Sequence, residues 1–300
     1  MDLKFPAFAE VAVSLYVTGA TEPTLHLLGQ KPAYISGPGD FTAKTEIPNA
    51  TTANSWFWVA DVEVLAPTEA AATVTLGDSI TDGFGSKPGE YNDWPDLLAD
   101  RLAAEEKLPP MAVLNEGIGG NRVLHDAAGI NALARFDRDV LANPGVANLI
   151  VMEGINDIGW PNMKLPAPKD GGAPMPNPFT AQKVTAEDII VGLQQIIDRA
   201  HQHGIRVFGA TLTPYEGAGY FTEDGEVIRK AVNEWIRTGG AFDGVFDFDA
   251  AVRDPEHPSR FRKDYQMGDN LHPSVAGYKA MADAIDLSAL RHAKASTKKK

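Results

Sequence analysis

Four short stretches of this chain carry residue types suited to acyl-transfer chemistry. Gly77-Asp78-Ser79-Ile80-Thr81-Asp82-Gly83 holds a serine, and Asn115 to Asn121 is a glycine-rich turn. Gly154-Ile155-Asn156-Asp157 holds an asparagine, and Asp269-Asn270-Leu271-His272-Pro273 sets an acid three residues before a histidine. Acyl transfer requires a hydroxyl activated by a base, a base held in one tautomer by a carboxylate, and donors aimed at the developing oxyanion. Ser79 supplies a hydroxyl and His272 a base. Asp269 reaches the imidazole if the turn between them is irregular or a single helical turn. Gly120 lets a backbone N–H approach an oxyanion with no Cβ in the way, and Asn156 offers amide donors. Taken singly these signals are weak, since a Gly-Asp-Ser tripeptide is commonly a turn or a helix cap. An Asn-Asp after a strand is usually a local turn, and His-Pro usually marks the start of a helix. Four such stretches in order, each at a strand-to-helix junction, are hard to produce by chance.

The elements that must position these residues follow from periodicity. From Ala72 onward strand-like and helix-like stretches take turns. Thr73–Leu76, Met111–Leu114, Ala147–Glu153, Ile205–Leu212 and Gly244–Phe248 read as five strands. Trp94–Glu106 has helical spacing of Leu97, Leu98 and Leu102, Thr185-Ala186-Glu187-Asp188 opens a long helix like a capping box, and a last helix starts near Ser274. Such alternation implies a parallel sheet covered on both faces, with ligands outside the carboxyl ends of its strands. Residues 1–68 read differently, as short strands with turn punctuation: Val11–Val17, Ala33–Ser36 and Trp56–Val64. Three or four strands are too few to close a stable sandwich. The expected division is therefore a β-rich extension over 1–68 and an α/β domain over 69–300. Trp160 to Phe179, with six prolines and Gly171-Gly172, breaks the rhythm as a long loop of the kind that is usually functional.

The 300 residues suffice for one sizeable domain or one with a small companion. A net charge of −13 argues against nucleic acid as partner and favours neutral or cationic substrates. Lys298-Lys299-Lys300 is the only basic cluster and reads as a solvated tail. With no cysteine, disulfides, thiolate nucleophiles and cysteine zinc sites are excluded. No run of 18 apolar residues spans a membrane, and Met1–Pro6 lacks a signal-peptide pattern.

The four stretches resemble the successive signature blocks of the SGNH hydrolases, also called the GDSL esterase/lipase family. Gly77-Asp78-Ser79-Ile80 matches the first block, with Ile80 where leucine is usual. The resemblance covers roughly residues 72 to 290. It implies a flavodoxin-like three-layer α/β/α domain with a five-stranded parallel sheet, and a triad of Ser79, Asp269 and His272. It further implies an oxyanion hole of the Ser79 and Gly120 backbone N–H groups and the Asn156 amide, with no metal and no cofactor. Residues 11–66 look like part of the β-rich extension of some bacterial secreted members. Such an extension fits a secreted or periplasmic protein, although the given start also suits a cytoplasmic one, and an open strand edge there would suit a homo-oligomer.

The family acts on acetyl esters of carbohydrates, aryl esters, thioesters and lysophospholipids. Nothing here resembles an apolar lid helix, so short acyl chains are expected, acetyl first. Asp78, Arg122, His125, Trp160 and Tyr215 are candidate substrate contacts, with Phe179 and Tyr220 beside them. Two rival readings stay open at the level of sequence. One is a metal-dependent phosphoesterase using Asp78, Asp82, Asn121, Asp157 and His272, although a two-metal site normally needs more histidines. The other is a carbohydrate-binding module with a vestigial catalytic half.

Overall fold

The computed structural model describes residues 4–165 and 175–291. The Lys298–Lys300 tail and residues 166–174 of the proline-rich stretch lie outside the described residues. The chain forms two compact units, Met1–Ala60 and Asp61–Lys300.

The first unit holds two small antiparallel ladders. Strand β1 (Leu25–His26) pairs with β4 (Trp56–Phe57), and β2 (Ala33–Ile35) with β3 (Thr51–Ala53). Two expected strands differ from this. Val11–Val17 is exposed and pairs with nothing in a ladder, because an alternating run becomes a strand only where another strand accepts its hydrogen bonds. The run from Trp56 stops at Phe57, since Trp58 takes φ +58 and turns the chain out of the extended region.

The second unit is built on five parallel strands: β5 (Ala71–Gly77), β6 (Met111–Gly117), β7 (Val146–Met152), β8 (Arg206–Ala210) and β9 (Gly244–Phe246). Their spatial order is β6-β5-β7-β8-β9, the doubly wound order whose switch point lies beside β5. Strands β5 and β7 are buried along nearly their whole length, as expected of a sheet covered on both faces. On the helical side, α2 (Trp94–Ala104) and α7 (Phe248–Val252) pack with α8 (Val275–Asp283), and α5 (Ala186–Gln202) with α6 (Glu223–Thr238). The result is the expected three-layer α/β/α architecture.

Local chemistry sets the helix starts. Thr185 and Asp188 form a reciprocal capping box at α5, which buries Ile189, Leu193, Ile196, Ile197 and Ala200. Asp93, Thr222 and Ser274 cap α2, α6 and α8.

Strand register brings the candidate residues together. Gly77 sits opposite both Gly117 and Met152, so β5, β6 and β7 end at one level. The segments after them therefore emerge side by side at the carboxyl edge of the sheet.

Candidate active site

Each site residue on the sheet side leaves a strand within a few residues of its end. Strand β5 runs into α1 (Ser79–Asp82) through Asp78, whose Oδ1 accepts from the Ile80 N–H at 2.9 Å and so caps the helix. Gly77 permits the sharp change of direction: a Cβ there would lie 2.2 Å from Thr81 Oγ1 and 2.5 Å from the Met152 carbonyl. Ser79 becomes the first helical residue, with its hydroxyl turned toward His272.

The Ser79 Oγ to His272 Nε2 distance is 2.8 Å, and His272 Nδ1 lies 2.6 Å from Asp269 Oδ2. An ionised carboxylate only accepts, so the imidazole proton sits on Nδ1 and leaves Nε2 to accept from the serine hydroxyl. Asp269 is aimed by its own turn, its Oδ1 accepting the backbone N–H groups of Leu271 (3.0 Å) and His272 (2.9 Å). Asn270 takes φ +61 to close that turn. Burial pushes the Asp269 carboxyl up, but its bonds to the His272 ring and to the two backbone N–H groups hold it at about 2. The Phe84 ring packs on the imidazole with centroids 4.4 Å apart, and the Tyr278 hydroxyl of α8 donates to the Phe84 carbonyl at 2.7 Å.

The glycine turn after β6 is tied to β5. The Ile118 N–H donates to the Gly77 carbonyl at 3.0 Å, and the Gly119 N–H donates to Asp82 Oδ2 at 2.9 Å. Gly120 takes φ +76, and a Cβ there would come 2.8 Å from Trp160 Cζ2 and 2.9 Å from Ala128 Cβ. A side chain is thus excluded both by backbone conformation and by space. After β7, Gly154 leads into α4 (Ile155–Gly159), where Asn156 is buried and its Nδ2 donates to the Asn121 carbonyl at 3.0 Å.

Asp157 accepts the N–H groups of Val123 (2.7 Å) and Leu124 (3.1 Å), pinning the chain just past the glycine turn. Burial pushes the Asp157 carboxyl up to about 6 in spite of these bonds. Behind Ser79, burial carries Asp78 up to about 7 and raises Glu153 well above the carboxylate range, the repulsion between the two adding to the effect on Glu153. Asp78 Oδ2 and Glu153 Oε2 are buried with no hydrogen-bond partner, which suits neutral carboxyls there.

Ser79, Gly120 and Asn156 thus stand at one edge of the sheet, and His272 with Asp269 meets that edge through Ser79. The candidate substrate contacts divide. Arg122 is fully buried, donating to the His125 carbonyl, Gln182 Oε1 and the Asp126 carbonyl, with its guanidinium over the rings of Trp160 and Phe179. Tyr215 is also fully buried, and Asp78 nearly so, occupied as a helix cap. These three serve the interior and offer a substrate no surface, because a polar side chain inside is held by internal partners or by packing. His125 and Trp160 remain partly exposed.

One residue of the site carried no sequence signal. Arg135, on α3 (Ala132–Phe136), is buried and donates to the carbonyls of Gly77 (3.1 Å) and Glu116 (2.7 Å) and to Asn121 Oδ1 (2.9 Å). It also pairs with Asp139 at 2.9 Å. A single guanidinium therefore ties together the ends of β5 and β6 and the glycine turn. Among the described residues, no group of three or more His, Asp or Glu side chains is arranged to hold a metal ion.

The sequence matches the GDSL-like Lipase/Acylhydrolase family over residues 75–280, and the chain belongs to that family. It is a carboxylic ester hydrolase. No curated protein matches the chain. Among solved structures it resembles Axe2, an acetylxylan esterase from Geobacillus stearothermophilus, at 21% identity over 77% of this chain and 100% of that one, with a TM-score of 0.52. It also resembles LAE5, an alpha/beta hydrolase enzyme from the metagenome of Lake Arreo, Spain, at 21% identity over 74% and 97% of the two chains, TM-score 0.52. At these identities the likeness is one of fold.

Proposed function

We propose that this esterase hydrolyses short-chain carboxylic esters, acetyl esters of carbohydrates or aryl esters foremost, through an acyl-serine intermediate. His272 Nε2 takes the Ser79 proton as Oγ attacks the carbonyl carbon. The tetrahedral oxyanion is held by the backbone N–H groups of Ser79 and Gly120 and by the Asn156 amide. Collapse expels the alkoxide, which takes the proton from His272, and leaves the acyl group on Ser79. Water, deprotonated by His272, then attacks the acyl-serine and releases the carboxylic acid. The observation that carries this reading is the unbroken run of short contacts from Ser79 through His272 to Asp269.

The preference for a small acyl group is supported by the bulk of the Trp160 indole, which lies against Gly120 beside the proposed oxyanion hole. The net charge of −13 disfavours polyanionic esters. The acetyl ester class named for Axe2 is the one to test first. Wild type should hydrolyse p-nitrophenyl acetate in the presence of EDTA and lose rate as the acyl chain is lengthened, and Ser79→Ala should be inactive. Full activity in Ser79→Ala would refute the mechanism, and faster turnover of long acyl chains would refute the substrate class.

A further inference from the structure

Trp160 and Tyr220 lie beside the site, and their polar atoms converge on Asn156. Its side-chain oxygen Oδ1 accepts from Trp160 Nε1 at 3.1 Å and from the Tyr220 hydroxyl at 3.1 Å. On the other arm of the amide, Nδ2 donates one proton to the Asn121 carbonyl at 3.0 Å. Both acceptor positions of Oδ1 are thus filled, and one N–H of the amide is left unassigned.

The two orientations of an asparagine amide have nearly the same shape, so only the hydrogen-bond partners select between them. An indole N–H can only donate and a carbonyl can only accept. Rotating the amide by half a turn would set NH₂ against the indole N–H and Oδ1 against the Asn121 carbonyl, losing both bonds at once in a buried site. Tyr220 adds strength but less selectivity, since its hydroxyl can turn to accept.

Trp160 is itself held. The Asn177 side-chain amide donates to the carbonyls of Trp160 (2.8 Å) and Met163 (3.0 Å). Phe179 meets the indole edge-on with centroids 4.8 Å apart, and the Arg122 guanidinium lies over both rings. The same indole stands against Gly120, so it touches both of the proposed oxyanion donors outside α1.

From this juxtaposition we propose that Trp160, seconded by Tyr220, is a positioning residue that fixes the amide of Asn156 with its free N–H toward the oxyanion. The inference rests on the oxyanion role proposed for Asn156. A locked donor acts when charge develops on the substrate oxygen, so its loss lowers kcat and leaves KM in place. Phenylalanine at 160 or 220 keeps an aromatic ring but has no N–H or O–H, and so loses the lock.

The test is a double-mutant cycle on p-nitrophenyl acetate. Trp160→Phe should lower kcat about tenfold and Tyr220→Phe about threefold, with KM changed less than about twofold in each. In an Asn156→Ala background the Trp160→Phe step should cost less than about twofold, because there is no amide left to orient. An equal loss in both backgrounds, or a rise in KM with kcat held, would overturn the proposal. A second readout does not need turnover: solvent exchange of the Asn156 side-chain N–H protons, assigned by their absence in Asn156→Ala. Exchange should be about tenfold faster in Trp160→Phe, and unchanged exchange would overturn the lock. If wild type hydrolyses no ester in a panel of acyl lengths, the functional reading fails while the exchange experiment still decides the positioning of Asn156.

Discussion

The side of the site that holds the proposed nucleophile and the side that holds the proposed base are built in opposite ways. Ser79, Gly120 and Asn156 follow three strands that end in register, and they are joined by buried bonds between residues far apart in sequence, those of Arg135 and Asp157 above all. His272 stands instead on a surface loop between a short turn (Lys263–Tyr265) and α8, and its acid partner is three residues away. The Asp269 side chain is 40% exposed. On the first side, geometry and fold stability depend on the same contacts. On the second, the pairing of Asp269 with His272 is set within its own turn.

The sharpest way to break that contrast is Asp269→Asn. Its oxygen can still accept the Leu271 and His272 N–H groups, so the turn persists, but an NH₂ now faces Nδ1 and selects the wrong imidazole tautomer. We expect kcat to fall about 10⁴-fold, with a change in unfolding free energy below about 1 kcal/mol by urea titration. A large loss of stability would show that the loop is not energetically independent. Asn156→Ala, on the sheet side, should lower kcat about 10²–10³-fold, measured on the same ester.

Arg135→Met tests the opposite half. It leaves Asp139 paired with the exposed Arg138 alone and strips a donor from the buried Gly77 and Glu116 carbonyls and from Asn121 Oδ1. Leaving these buried acceptors short of a donor should cost about 1–3 kcal/mol of stability, read from the urea midpoint. A variant as stable as wild type would remove Arg135 as the tie between β5 and β6.

The last expected effect is on pH. Asp78 ionises at about 7 in the fold against an ordinary 3.8, so the folded state keeps a proton that the unfolded chain releases. Stability from neutral Asp78 is complete below about pH 4 and gone above about pH 7. Asp269, held at about 2, acts in reverse: its contribution is complete above about pH 4 and is lost as pH falls toward 2. Urea midpoints should therefore fall between about pH 4.5 and 7.5 and fall less steeply in Asp78→Asn, whose side-chain oxygen can still cap Ile80. An equal slope in the two proteins would contradict this placement of the proton.

The same contrast explains what could be read in the sequence. Strand runs, helix caps and the four blocks are local patterns, so the α/β/α fold and the family were legible from residue type and spacing. Arg135 and the Trp160–Asn156 bond were not, because nothing in the neighbouring residues marks them or the partners they reach. Helix α6 was legible but unread: Thr222 caps it, acids fill its first turn, and Ile228, Val232, Trp235 and Ile236 recur at helical spacing. Val11–Val17 shows the reverse error, since alternation describes a strand only when the fold supplies a neighbour for it.

The most direct test of the esterase mechanism is covalent capture of the nucleophile. Wild-type protein treated with a fluorophosphonate should gain one adduct mass, located by peptide mass spectrometry on Ser79, and His272→Ala should label far more slowly. An adduct on another residue, or no adduct in a preparation that hydrolyses p-nitrophenyl acetate, would contradict the assignment of Ser79.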